Sequence, residues 1–145
     1  MSETEEKEIK GPKIEELKNE LNKYEWQLLR ILQHFDSKTR NGCEIQIVKE
    51  PDNLKVSARN SWMIMKYRDG KVEFDYMKYG EIPKKQQWYK RIQFTIETEE
   101  KRADEMMNII IDAILKMPMD IENLVRATRM AYATLTGKKI SEGVE

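Results

Sequence analysis

Between Lys38 and Gln93 the chain interleaves cations with flat rings. Thirteen basic residues in that stretch, including Lys55, Arg59, Lys66, Lys90 and Arg91, stand against seven acidic ones, an excess of about six positive charges. Seven of the chain's twelve aromatic residues fall in the same stretch: Trp62, Tyr67, Phe74, Tyr76, Tyr79, Trp88 and Tyr89. The combination suits single-stranded nucleic acid. Bases stack on rings for roughly 1–3 kcal/mol each, while cations follow the phosphates without reading sequence. The same residue types also have a plainer use, because strands favour aromatics and alternate lysines solvate an outer face. Met63, Met65 and Met77 share the segment and could line an adaptable apolar groove for bases or for a partner peptide. The alternative to nucleic-acid binding is therefore a protein–protein interaction module without enzymatic activity. The stretch from Tyr79 to Gln87, with Lys84 and Lys85, reads as a mobile flap or an ordinary connection.

Other chemistries have less to work with. His34 is the only histidine and Cys43 the only cysteine, and neither belongs to a ligand pair at zinc spacing. The six glycines are isolated and fit neither a Walker nor a dinucleotide pattern. His34 falls near the end of the first helix, where packing or capping is its expected task. Glu73 and Asp75 share a strand face and form a formal carboxylate pair, but beside Lys71 and a turn they read as solvated charges. No catalytic residues, metal or cofactor are expected.

Composition bounds the rest. A chain of 145 residues has the size of one domain and can bury a core without disulfide or metal staples. Its 26 basic and 26 acidic residues cancel, so attraction to a polyanion depends on how charge is distributed. A lone cysteine argues against a disulfide-built secreted domain, the acidic N-terminus is unlike a signal peptide, and no apolar run approaches the length of a membrane helix. A cytoplasmic protein is expected. Abundant Lys and Glu with few Gly and Pro resembles thermophile usage, against which nine methionines count.

The elements that must position these residues follow from periodicity. Residues 1–11 read as a disordered acidic tail, 12–137 as a single α+β domain, and 138–145 as a flexible tail. From Pro12, the residues Ile14, Leu17, Leu21, Tyr24, Leu28, Ile31 and Phe35 recur at spacings of three and four, predicting one long amphipathic helix. The 3.5-residue period also fits a seam for a homo-oligomer. Leu29 and Leu32 widen the stripe toward packing within the domain. After Asn41-Gly42 the period becomes alternating, predicting an antiparallel meander of four to five strands with turns at Glu50–Asn53 and Arg68–Lys71. Val72, Phe74 and Tyr76 face inward on one strand and Ile92, Phe94 and Ile96 on another. Thr98 and Asp120 are the expected caps of two C-terminal helices, with Pro118 between them and Gly137 ending the second.

The order of long helix, basic meander and paired helices resembles ThermoDBP and related single-stranded-DNA-binding proteins of archaea, several of them thermophilic. The residues that carry the resemblance are the helix from Pro12 to Phe35, the strand Asn60-Ser61-Trp62-Met63-Ile64-Met65-Lys66-Tyr67, and Gln87-Trp88-Tyr89-Lys90-Arg91-Ile92. In that family single strands lie in a cleft with aromatic walls and basic edges. The resemblance implies wall roles for Trp62, Tyr67, Trp88 and Tyr89 and rim roles for Lys55, Arg59 and Arg91. Lys66 and Tyr79 complete the candidate nucleic-acid surface, and the expected ligand is single-stranded DNA or RNA bound without sequence preference. No heptad extension follows Gly137, so a zipper dimer of the family's founding type is not expected.

Overall fold

A computed structural model describes residues 14–81, 87–116 and 120–137, apart from the side chains of Ile14, Glu15, Leu17, Glu81, Gln87 and Trp88. Both expected tails, the centre of the expected flap and the expected Pro118 stop lie outside the described residues. The order is α1 (Ile14–Glu20), α2 (Lys23–Arg40), β1 (Gln46–Glu50), β2 (Asn53–Ala58), β3 (Ser61–Arg68), β4 (Lys71–Glu81), β5 (Gln87–Glu97), α3 (Glu100–Leu115) and α4 (Ile121–Thr136). The fold is α+β: N-terminal helices, a five-stranded antiparallel meander in the order β1-β2-β3-β4-β5, and two C-terminal helices.

The expected single N-terminal helix is divided at Leu21–Asn22. Asn22 takes an extended backbone and its side chain accepts from the Glu25 N–H at 2.8 Å, while the Glu25 carboxylate accepts from the Asn22 N–H at 3.1 Å. This reciprocal cap satisfies two donors that a fresh helix start would leave open. A local polar bond thus interrupts a hydrophobic period that itself runs on unbroken. Asn22→Ala should cost about 1 kcal/mol of stability, read from the denaturant midpoint. Past Phe35, α2 continues to Arg40 and buries Asp36, which is 1% exposed. Its carboxylate lies 3.4 Å from the Arg40 Nε, one helical turn on.

The sheet forms because apolar residues fill alternate positions of four strands. Leu54, Val56, Met63, Met65, Val72, Phe74 and Tyr76 face one side, where they join the buried stripes of α2, α3 and α4 in a single core. Phe74 and Phe94, directly opposite across the β4–β5 ladder, stack at 4.7 Å between centroids. The β3–β4 turn places Asp69 (φ 56°) and Gly70 (φ 76°) in the left-handed region, the backbone twist that a two-residue hairpin requires.

The helices after the sheet follow expectation except at one cap. The first residue before α3 is Glu99, whose side chain makes no capping bond, whereas the Thr98 hydroxyl donates to the Leu135 carbonyl near the end of α4. Thr98 therefore satisfies the end of one helix rather than the start of another. Asp120 does cap α4, accepting from the Glu122 N–H at 2.8 Å. Gly137 closes α4 in the left-handed conformation at φ 77°, with the Arg102 guanidinium occupying the space that a larger residue's Cβ would need. No helix among the described residues is long and apolar enough to cross a membrane.

Candidate nucleic-acid interface

The helices cover one face of the sheet and leave the other open. Strand alternation assigns each residue to a face, and antiparallel register aligns the open-face residues in rows. Gln46, Ser57, Trp62, Met77 and Arg91 form one row across the five strands. Val48, Lys55, Ile64, Asp75 and Gln93 form the next, and Glu50, Asn53, Lys66, Glu73 and Thr95 a third. Met77 is only 7% exposed, yet it stands outside the helix-side core. It is the buried floor of an apolar patch on the open face, opposite half-buried Trp62 in the ladder.

Beyond the Ser61–Lys78 pair, β4 and β5 run on together as a two-stranded ribbon. Tyr79 and Tyr89 are directly opposed there on the open-face side, with ring centroids 6.3 Å apart. They are 47% and 65% exposed, unusual for large rings at the end of a long strand pair. Trp62, Met77, Tyr79 and Tyr89 thus continue one apolar and aromatic track from the sheet onto the ribbon.

Of the residues predicted to contact nucleic acid, Lys55, Trp62, Lys66, Tyr79, Tyr89 and Arg91 share this open face. Arg91 is not a free cation there: its Nε and Nη2 bond the two Asp75 oxygens at 3.0 and 2.8 Å, an ion pair that holds the guanidinium pKa above its usual value. Arg59 sits in the β2–β3 turn at φ 47° and lines a shallow hollow with Asn41, Cys43 and Ser57. Tyr67 departs from its expected role. It lies on the inward side with Met63 and Met65, half-buried against the core, because it stands five positions, an odd offset, from Trp62 along β3. Trp88 pairs with Gly80 in the backbone ladder, and its side chain lies outside the described residues.

The electrostatics of the open face also differ from the sequence expectation. Lys55, Lys66, Arg68, Lys71 and Arg91 are matched there by Glu50, Glu73, Asp75 and Glu97, so this face is close to neutral among its described side chains. Much of the segment's positive excess lies elsewhere. Lys49 pairs with Asp104 of α3, Arg40 with Asp36, and Lys78 and Lys90 oppose one another on the helix-covered side. The sequence reading did not single out that last pair as a unit. A signal was available, because both lysines continue the inward parity of Val72-Phe74-Tyr76 and Ile92-Phe94-Ile96.

His34 reaches this same end of the sheet. Its Nε2 lies 2.8 Å from the Ser61 hydroxyl oxygen, and that hydroxyl donates to the Ala58 carbonyl at 2.8 Å. Since the serine proton is already committed, the oxygen accepts from Nε2–H, which assigns the neutral tautomer and leaves Nδ1 bare. Burial, with Lys78 and Lys38 adding positive potential, pushes the imidazole pKa from 6.5 down to about 4. The ring packs edge-on against Phe35 and Tyr76, and burial raises the Tyr76 phenol to about 12. A histidine that titrates lower in the folded state contributes stability above pH 6.5 that is lost as the pH falls through about 4. The expected loss is on the order of 2–3 kcal/mol, and His34→Gln should flatten that part of a stability-versus-pH curve. Asp36 opposes the trend near the acid end, because burial raises its carboxyl pKa and protonation there favours the folded state. Comparison of the chain with known proteins finds no matching family, no matching curated protein and no matching solved structure.

Proposed function

We propose that this is a nonenzymatic protein that binds single-stranded nucleic acid, DNA or RNA, along the open face of its sheet with little sequence preference. The observation that carries the reading is the exposed Tyr79–Tyr89 pair, continuous with Trp62 and Met77 on a face that no helix covers. Exposed rings in a row offer π-faces to successive bases, and an apolar floor excludes water beneath them. Lys55 and Lys66, one and two rows from Trp62 on the same face, meet the phosphates. The resemblance to ThermoDBP-type proteins is part of the same proposal, supported by the order of elements and by the placement of Trp62 and Tyr89 on one face.

Near-neutral charge refines the mechanism. Stacking supplies most of the affinity, and few phosphates are neutralised. Fluorescence titration with short single-stranded oligonucleotides at several salt concentrations tests this, with the loss of affinity at higher salt expected to be shallow. No binding at low salt would overturn the proposal, and parallel DNA and RNA series assign the preferred strand.

A second reading, a protein-interaction surface, is favoured by Val48, which is 51% exposed in the row that holds Ile64. Charge pairs such as Arg91–Asp75 are also at home on such a surface. A protein surface of this kind would leave oligonucleotides unbound while Val48→Asp abolished partner binding.

A further inference from the structure

Arg30, His34 and Lys38 recur at intervals of four residues on α2, which sets them along one side of the helix. The His34–Ser61 hydrogen bond ties that row to the end of the sheet where Ser61 is opposite Lys78 and Lys78 is opposite Lys90. Two strands and a helix therefore bring four cations to the end of the sheet that holds the neutral imidazole, Lys78 and Lys38 acting on the ring itself and Lys90 and Arg30 on Lys78. Among the described residues, none of the ion pairs involves Arg30, Lys38 or Lys90. Like charges directly opposite in an antiparallel pair are destabilising, so folding alone does not favour Lys78 against Lys90. Burial, Lys90, Lys38 and Arg30 together lower the Lys78 pKa.

We propose that Arg30, Lys38, Lys78 and Lys90, grouped around His34 where α2 meets the Ser61 end of the sheet, bind a compact, multiply charged phosphate group. Free pyrophosphate and the 5′-phosphorylated end of a strand share that chemistry. A backbone phosphodiester matches it less well, because each carries a single charge and neighbours are spread along the strand. A terminal phosphate or a pyrophosphate concentrates two or more charges in a volume that several side chains can reach at once. His34 fits the same role. With Nε2–H held by Ser61, proton uptake falls on Nδ1, and a bound anion would favour that protonated form against the opposing influence of Lys38 and Lys78. Arg30 and Lys90 act on the same cluster through Lys78, and Tyr76 and Phe35 supply its ring walls.

The site lies on the helix-covered side of the sheet and does not depend on the reading of the open face. The test uses the full chain at low ionic strength with inorganic pyrophosphate as the probe. Binding is followed by calorimetry and by NMR titration of the chain's one histidine. Saturable binding is expected, with the His34 pKa raised by about one unit or more. Lys38→Gln and Lys90→Gln should each weaken binding about tenfold while the thermal midpoint is retained. Tyr89→Ala should leave pyrophosphate binding unchanged, which separates this site from the stacking surface. A preference for a 5′-phosphorylated over a 5′-hydroxyl oligonucleotide, lost in Lys90→Gln, would assign the strand end as ligand, and equal affinity for the two would assign free phosphate. Absence of saturable pyrophosphate binding, or binding unaffected by both lysine substitutions, overturns the proposal.

Discussion

Replacing Tyr79 and Tyr89 together by alanine is expected to weaken binding of single-stranded oligonucleotides by about 30-fold or more while leaving the fold intact. Each ring that stacks on a base contributes roughly 1–3 kcal/mol, and the two removed here are the most exposed rings among the described residues of the open face. Neither belongs to the helix-side core, so their loss removes a cross-strand pair at the end of the ribbon rather than a filled volume. Such a pair contributes on the order of 1 kcal/mol or less to stability. The measurement is a fluorescence titration beside a denaturation curve, and the salt dependence discriminates further. The slope of log K against log salt should be unchanged in the tyrosine variant, because rings neutralise no phosphate. It should become shallower by about 0.7 for each of Lys55→Gln and Lys66→Gln if each contacts one phosphate. Unchanged affinity in the double variant would remove the track from the binding surface.

Phe74→Ala is the substitution expected to affect stability most. Phe74 is 1% exposed at the middle of β4, opposite Met65 on one side and stacked on Phe94 on the other. Truncation leaves a cavity walled by a rigid strand on either side, and such sites collapse poorly. A loss of about 3–5 kcal/mol is expected for a buried phenylalanine. Domains of this size are stable by roughly 5–15 kcal/mol, so the variant loses a large share of its total and its Tm falls by about 10 °C or more. The contrast with the tyrosine variant is informative. One aromatic substitution on β4 should strongly destabilise the fold, and another five residues away should weaken stacking with the fold retained, because strand parity sends the two side chains to opposite faces.

Parity explains most of what was legible from the sequence and one thing that was misread. The inward sets Val72-Phe74-Tyr76 and Ile92-Phe94-Ile96 follow directly from alternation, as does the shared outer face of Glu73 and Asp75. The resemblance implies wall roles for both Trp62 and Tyr67, although an odd offset within a strand places them on opposite sides. That constraint is local to the strand and present in the sequence. The interruption at Asn22 was harder to read. Leu21, Tyr24 and Leu28 keep helical spacing across it, and only the reciprocal bond with Glu25, a local polar preference competing with a hydrophobic period, marks the new helix start. Thr98 illustrates a different limit. Its position suited a cap, yet its partner is the Leu135 carbonyl, 37 residues later and near the end of α4.

The sequence by itself determined the α+β order of elements, the antiparallel meander, the inward positions of β4 and β5 and the concentration of aromatics in the sheet, whereas Met63 and Met65, which suited a groove, are core. These depend on period and on turn chemistry, which act over a few residues at a time. The tertiary structure alone decided where the charge goes. An excess of about six positive charges in the segment from Lys38 to Gln93 gives no sign of which cations will face which carboxylates. Register and packing divide it: Arg91 is committed to Asp75 and Lys49 to Asp104, the open face is left near neutrality with its tyrosines exposed, and Lys78 and Lys90 join Arg30 and Lys38 on the other side of the sheet. Charges interact through space over distances that the chain's own spacing does not encode, so their balance is settled only when helix and strands meet.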